Sequence, residues 1–175
     1  MGFNGFAFSG LEPLAMRSES VFARLALARD PMEDASLGHV FAGVPTDLGI
    51  PSAAGFRVIV EGRRRELRAS LRNEIYRIGR EAIANAYRHS RATHIEMVIE
   101  YRASELHIVL RDNGCGINPR ELKRNTQRGL QEMRAGAGRI GARLRILSRV
   151  ALGTEVELCV PGRIAFAQRG VHAAC

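Results

Sequence analysis

The chain lacks tryptophan, and Lys123 is its single lysine, so arginine supplies all but one of its 26 basic residues. Only 6% of its 175 residues are aromatic. A net charge of +8 would suit a nucleic-acid surface. However, the arginines are spread through every segment instead of forming one stripe, and few aromatics are available for base stacking, so no direct nucleic-acid partner is expected. No apolar run approaches the roughly 20 residues needed to cross a bilayer. The N-terminus Met1–Phe6 has no basic stretch of the kind that opens a secretory signal, and Phe6 stands where a myristoylation site needs Ser or Thr. Cys115, Cys159 and Cys175 have no metal-binding spacing and cannot all pair, which points to free thiols in a reducing cytoplasm. There is no GxxxxGK[ST], no strand–GxGxxG–helix, no HExxH, no CxxC and no GxSxG. P-loop, Rossmann, common zinc-enzyme and serine-hydrolase sites are therefore excluded.

What is present is a short apolar-and-polar order. Residues 1–55 are rich in Gly, Pro, Ser and Ala. They are expected to be poorly ordered or partly helical, with an amphipathic helix over Glu19–Arg29 and loop over Gly43–Ser52. From Phe56 the patterns sharpen into a strand over Phe56–Glu61 and a helix from an N-cap at Ser70 to about His89. A hairpin follows over Thr93–Tyr101 and Glu105–Arg111, then a helix over Leu130–Ile140 closed by Gly141. A last hairpin spans Arg143–Ser148 and Thr154–Val160 and ends at Pro161. This order predicts an α+β fold, a two-layer sandwich with a mixed, mostly antiparallel sheet and helices on one face.

Three islands carry the chemistry. Glu81, Asn85 and His89 lie at i, i+4 and i+8 and share a helix face, read as roughly opposite the Ile75/Ile78/Ala82 stripe. A carboxamide oxygen suits Mg²⁺, and a carboxylate one turn away can order a nucleophile or a metal-bound water. Asp112 follows an alternating strand, where a carboxylate can accept from the exocyclic amine of adenine. Gly114 and Gly116 let the backbone approach a flat ring. Gly129 and Leu130 open a helix whose N–H groups can face phosphate. Thr154, in the last hairpin, can reach the base region.

In this order the islands resemble the GHKL (Bergerat) ATPase superfamily, and within it the ATP-binding catalytic domain of sensor histidine kinases paired with LuxR-type response regulators. Arg77–Ala92 looks like the family's N box, Asp112–Ile117 like its G1 box, Arg128–Leu144 like the helix after the ATP lid, and Gly153–Leu158 like the closing strand. The resemblance covers about residues 56–161, with 162–175 as a tail. It implies a Bergerat ATP-binding fold, with ATP and Mg²⁺ as cofactors and Asn85 as the metal ligand. Glu81 and Asn85 would be catalytic, Arg88 a phosphate contact, and His89, Ile117, Gly129, Leu130 and Thr154 contacts to nucleotide. Asp112 would bind the adenine amine, in a pocket shaped by Gly114 and Gly116. The implied reaction is γ-phosphoryl transfer to histidine in two-component signalling.

The expected departures are equally specific. His39 is the lone histidine before the N box and is followed by Val40, so a phosphoacceptor helix and a sensor region are expected to be missing. Phosphorylation would then use an acceptor (dimerisation) domain in trans. Asn125–Arg128 stands in the lid where the family usually has another glycine. Two rival readings share the fold: a free-standing anti-sigma-factor-type serine kinase, and a non-catalytic nucleotide-binding interaction module.

Overall fold

The computed structural model describes residues 36–49, 54–117 and 128–167. The helix expected over 19–29 and the lid segment 118–127 lie outside these residues. A compact unit begins at Ala35. Its elements in chain order are α1 (Leu37–Leu48), β1 (Gly55–Gly62), α2 (Ala69–His89), β2 (His94–Tyr101) and β3 (Glu105–Asp112), followed by α3 (Arg128–Arg139), β4 (Arg143–Arg149), β5 (Gly153–Pro161) and α4 (Gly162–Ala165).

The strands form one mixed sheet in the order β1-β2-β3-β5-β4. β1 runs parallel to β2 across the α2 crossover, and every other pairing is antiparallel. Strand alternation divides the sheet into two faces. Ile95, Met97, Ile99 and Tyr101 of β2 pair with Asp112, Leu110, Ile108 and Leu106 of β3. These look inward onto α1, α2 and α3. The other face carries Glu96, Glu100, His107, Arg111, Glu155 and Glu157. The two-layer α+β sandwich predicted from the sequence is the architecture found. Its core includes the fully buried Ile75, Ile83, Ile95, Met97, Ile99, Leu106 and Met133, each worth about 1.5–3 kcal/mol on burial.

Three local expectations are corrected. The loop expected over Gly43–Ser52 is largely helical, because α1 extends through Leu48 with Pro45 inside it. Pro45 costs the helix a backbone hydrogen bond. Phe41 and Val44 are nonetheless fully buried, with Phe41 lying where a side chain at Gly79 of α2 would otherwise project. Ser36 caps the start by accepting the His39 N–H (3.3 Å), and Gly49 ends the helix in the left-handed conformation. Ser70 is not the N-cap of α2, which begins two residues earlier than expected, at Ala69 behind Arg68, without a side-chain cap. The tail expected from residue 162 begins as α4. Phe166 bridges back to Leu67, stacks on Tyr101 and lies under the Arg65 guanidinium.

Candidate functional site

Asp112 ends β3 on the inward face, and Asn85 lies on the inward face of α2. Between them opens a cavity of about 290 Å³, lined by Ala82, Asn85, Ala86, His89, Ser90, Leu110, Asp112, Cys115, Gly116, Ile117, Leu130, Met133, Ile146, Thr154 and Val156. The helix and the strand end therefore share one chamber, roofed by α3. The reading that set Glu81, Asn85 and His89 opposite the apolar stripe is corrected. Ala82 lines the same cavity as Asn85 and His89, so the polar residues border the buried stripe and do not oppose it. The helix rotates by about 100° per residue, which brings position 85 within about 60° of positions 78 and 82.

A network of short contacts fixes the strand end to the helix end. Ser90 is buried, accepts the Ala92 N–H (3.0 Å) and donates to the Ala86 carbonyl (2.6 Å), closing α2. The Ser90 carbonyl then accepts the Cys115 N–H at 2.7 Å. Asn113 accepts from the N–H groups of Thr93 and His94 at 3.0 and 2.9 Å, and donates to the Thr93 hydroxyl at 3.0 Å. Gly114 is buried in this crossing. A Cβ there would overlap the Ser90 carbonyl and lie 2.6 Å from the Ser90 Cβ, so only glycine admits the approach.

On the far side, Ser148 accepts the Ile117 N–H (2.7 Å), donates to the Gly153 carbonyl (3.0 Å) and sits 3.0 Å from the Thr154 hydroxyl. Asp112 is half-buried, and its Oδ1 accepts the Gly114 N–H at 2.9 Å. Burial pushes its carboxyl above the ordinary value, against the opposing pull of the Gly114 and Thr154 N–H groups. The Asn85 carboxamide makes no hydrogen bond to another described residue and so has free capacity at the cavity wall.

Of the sequence-predicted residues, Asn85, His89, Asp112, Gly116, Ile117, Leu130 and Thr154 line the cavity. Glu81 stands one turn before Asn85, with its carboxylate against Gly129 in the first turn of α3, where the helix dipole favours a negative charge. Gly114 lies behind the wall, packed on Ser90. Arg88 is exposed and is not a lining residue. Sequence reading missed the apolar wall (Ala82, Ala86, Leu110, Met133, Ile146 and Val156), together with Ser90, Cys115 and Ser148. The signal for Ala82 and Ala86 was there: small residues directly after Glu81 and Asn85 leave room for a ligand on the same helix face. Nothing local marked Ser148, whose role comes from strand pairing.

Residues 71–164 match the family model described as histidine kinase-, DNA gyrase B-, and HSP90-like ATPase. Among characterised relatives, sensor protein VraS of Staphylococcus epidermidis is 31% identical over 153 residues, spanning 86% of this chain and 43% of VraS. Sensor histidine kinase LiaS of Bacillus subtilis is 32% identical over 89 residues, spanning 51% of this chain and 24% of LiaS. The chain thus spans less than half the length of either relative. In solved structures the fold is similar to the Erythrobacter litoralis EL346 blue-light activated histidine kinase, with a TM-score of 0.65 at 18% identity, over 83% of this chain and 49% of that one. It is also similar to the histidine kinase domain of the same protein, with a TM-score of 0.62 over 87% of this chain and 89% of that domain. With more than half of its length inside the family model, the chain belongs to the histidine kinase-, DNA gyrase B- and HSP90-like ATPases and carries their ATP-binding domain.

Proposed function

We propose that the chain is the ATP-binding catalytic domain of a two-component sensor histidine kinase. It would use Mg-ATP to phosphorylate a histidine on a helical acceptor (dimerisation) domain, which then serves a LuxR-type response regulator in the cytoplasm. The single observation that carries this reading is the cavity joining Asn85 to Asp112 beneath α3.

In this reading Asp112 accepts the adenine amine, with Thr154 beside it and Gly114 and Gly116 letting the loop lie close to the ring. Ile117, Leu130 and His89 flank the nucleotide, while Arg88 and the first turn of α3 at Gly129 serve the phosphates. The Mg²⁺ that such chemistry uses fits the donor set: a neutral oxygen at Asn85 with no partner among the described residues, one turn from the Glu81 carboxylate. When bound, it would supply neutralisation of phosphate charge. Glu81 orients and polarises the acceptor imidazole, while the apolar wall excludes water from the transferring phosphoryl. We assign the catalytic domain to residues 56–161 with α1 packed against it.

Calorimetric titration with Mg-ATP, followed by incubation with a separately purified acceptor domain, tests the proposal. ATP binding followed by acid-labile, base-stable phosphate on the acceptor is expected. Transfer to a serine of a small antagonist protein would instead favour the serine-kinase reading, and binding without any transfer the interaction module.

A further inference from the structure

We propose that His107, Glu157 and Cys159 form a cation site of the zinc class on the outer face of the sheet, clamping β3 to β5. His107 and Cys159 are direct cross-strand partners, and Glu157 precedes Cys159 by two residues on the same face. The sheet register alone therefore brings together an imidazole, a carboxylate and a thiol. Glu157 Oε1 lies 2.9 Å from His107 Nε2 and 3.7 Å from Cys159 Sγ, and the three ligand atoms all fall within 4.8 Å of one another. A tetrahedral zinc sets neighbouring ligand atoms about 3.3–3.6 Å apart, a range that the 2.9 Å His107–Glu157 and 3.7 Å Glu157–Cys159 separations bracket.

The surroundings are those of a built site. His107 and Cys159 are buried, at 7% and 4% exposure. His107 Nδ1 is shut away from solvent without a hydrogen-bond partner, yet Glu100 Oε1 lies 3.4 Å from it. A cation on Nε2 would fix the proton on Nδ1 and aim it at that carboxylate, the arrangement that habitually backs a metal-bound histidine. Arg145 pairs with the other oxygen of Glu157 at 3.2 Å and leaves Oε1 for the ion. Thiolate with imidazole and carboxylate selects zinc over the oxygen-seeking Mg²⁺. Three protein ligands leave a fourth position for water.

The competing arrangement is a metal-free one, with the His107 ring held between Glu100 and Glu157 and the Cys159 thiol a weak donor to the same Glu157 oxygen. The site is independent of nucleotide. Because β3 ends at Asp112 and β5 begins beside Thr154, the same two strands carry both sites.

The test is a Co²⁺ titration of the full chain, without an affinity tag, chelator-treated and free of nucleotide. One equivalent of Co²⁺ giving a thiolate charge-transfer band and tetrahedral d–d bands, both displaced by Zn²⁺, is expected. The signal should persist in a C115S/C175S variant and disappear in C159S and in H107Q, while E100Q weakens binding about 10–100-fold. Thermal melts establish which variants fold, and E157Q, isosteric at the site, provides a further loss-of-binding variant. Absence of the thiolate band, its survival in C159S, or its loss in C115S/C175S overturns the proposal. So does a melting temperature lowered by H107Q but not C159S in a protein that takes up no Co²⁺, the mark of the metal-free histidine–carboxylate bridge.

Discussion

Asp112→Asn is expected to move nucleotide affinity and apo stability in opposite directions. The carboxylate is half-buried at the cavity wall, with Oδ1 accepting the Gly114 N–H. The amide is isosteric and keeps an oxygen for that bond. On the proposed role at the adenine amine it loses a charge-assisted acceptor worth about 1.5–3 kcal/mol, or an affinity loss of about 10–150-fold at 1.4 kcal/mol per decade. Preference for ATP over GTP should narrow as well, because a carboxamide can also donate to a guanine carbonyl. Stability follows the other sign. Burial raises the folded-state pKa of Asp112 above its ordinary value. The stability linked to this group is therefore complete below the unfolded pKa, about 3.9, and is lost as pH rises through the folded value. At neutral pH the ionised carboxylate is a net liability to the empty protein. The variant should melt at the same temperature as the parent or slightly higher at pH 7, with that advantage gone below about pH 4. Calorimetric titration with ATP and GTP, together with melts across pH, reads both effects. Unchanged ATP affinity would refute the role of Asp112 at the base. A marked fall in apo melting temperature at pH 7 would refute the electrostatic reasoning.

Asn85→Ala should weaken ATP binding about tenfold or more in Mg²⁺ while leaving binding in excess EDTA nearly unchanged; an equal loss in both would remove Asn85 from the metal. Ser148→Ala strands the Ile117 N–H and loosens Thr154. It is expected to cost about 1–3 kcal/mol in urea denaturation and to weaken ATP several-fold, whereas an unchanged midpoint would show that water replaces the hydroxyl. Phe41→Ala should cost about 3–5 kcal/mol, since the ring is fully buried against α2 at Gly79. Limited proteolysis should then cut within residues 37–48, and an intact α1 in the folded variant would show that Val44 and Leu37 suffice to hold it.

The parts legible in the sequence were those in which local pattern and tertiary environment agree. Ile95, Met97, Ile99 and Tyr101 alternate with Glu96, Val98 and Glu100, so period two states both that β2 is a strand and which face it buries. Asp112 and its glycines could be located because strand end, turn and carboxylate are contiguous. The α1 helix was not legible: Gly38, Gly43 and Pro45 lower its intrinsic propensity. The compensation is Phe41 packed against a glycine almost forty residues later, which no window of sequence contains. Ser148 has the same problem, since its value comes from standing opposite Thr154 in the β4–β5 register.

The error over the face of α2 follows from the same cause. Glu81 and Asn85 are polar, and a polar residue on an amphipathic helix is ordinarily assigned to solvent. Here the inward face is interrupted by a chamber, so polar side chains border buried alanines without being expelled from the core. A half-exposed carboxamide without a described partner, beside a half-buried carboxylate whose ionisation works against the empty fold, leaves polar capacity turned toward the chamber. That polar capacity facing a shared cavity, more than the spacing of Glu81 and Asn85, distinguishes a binding helix from one that simply has a wet side.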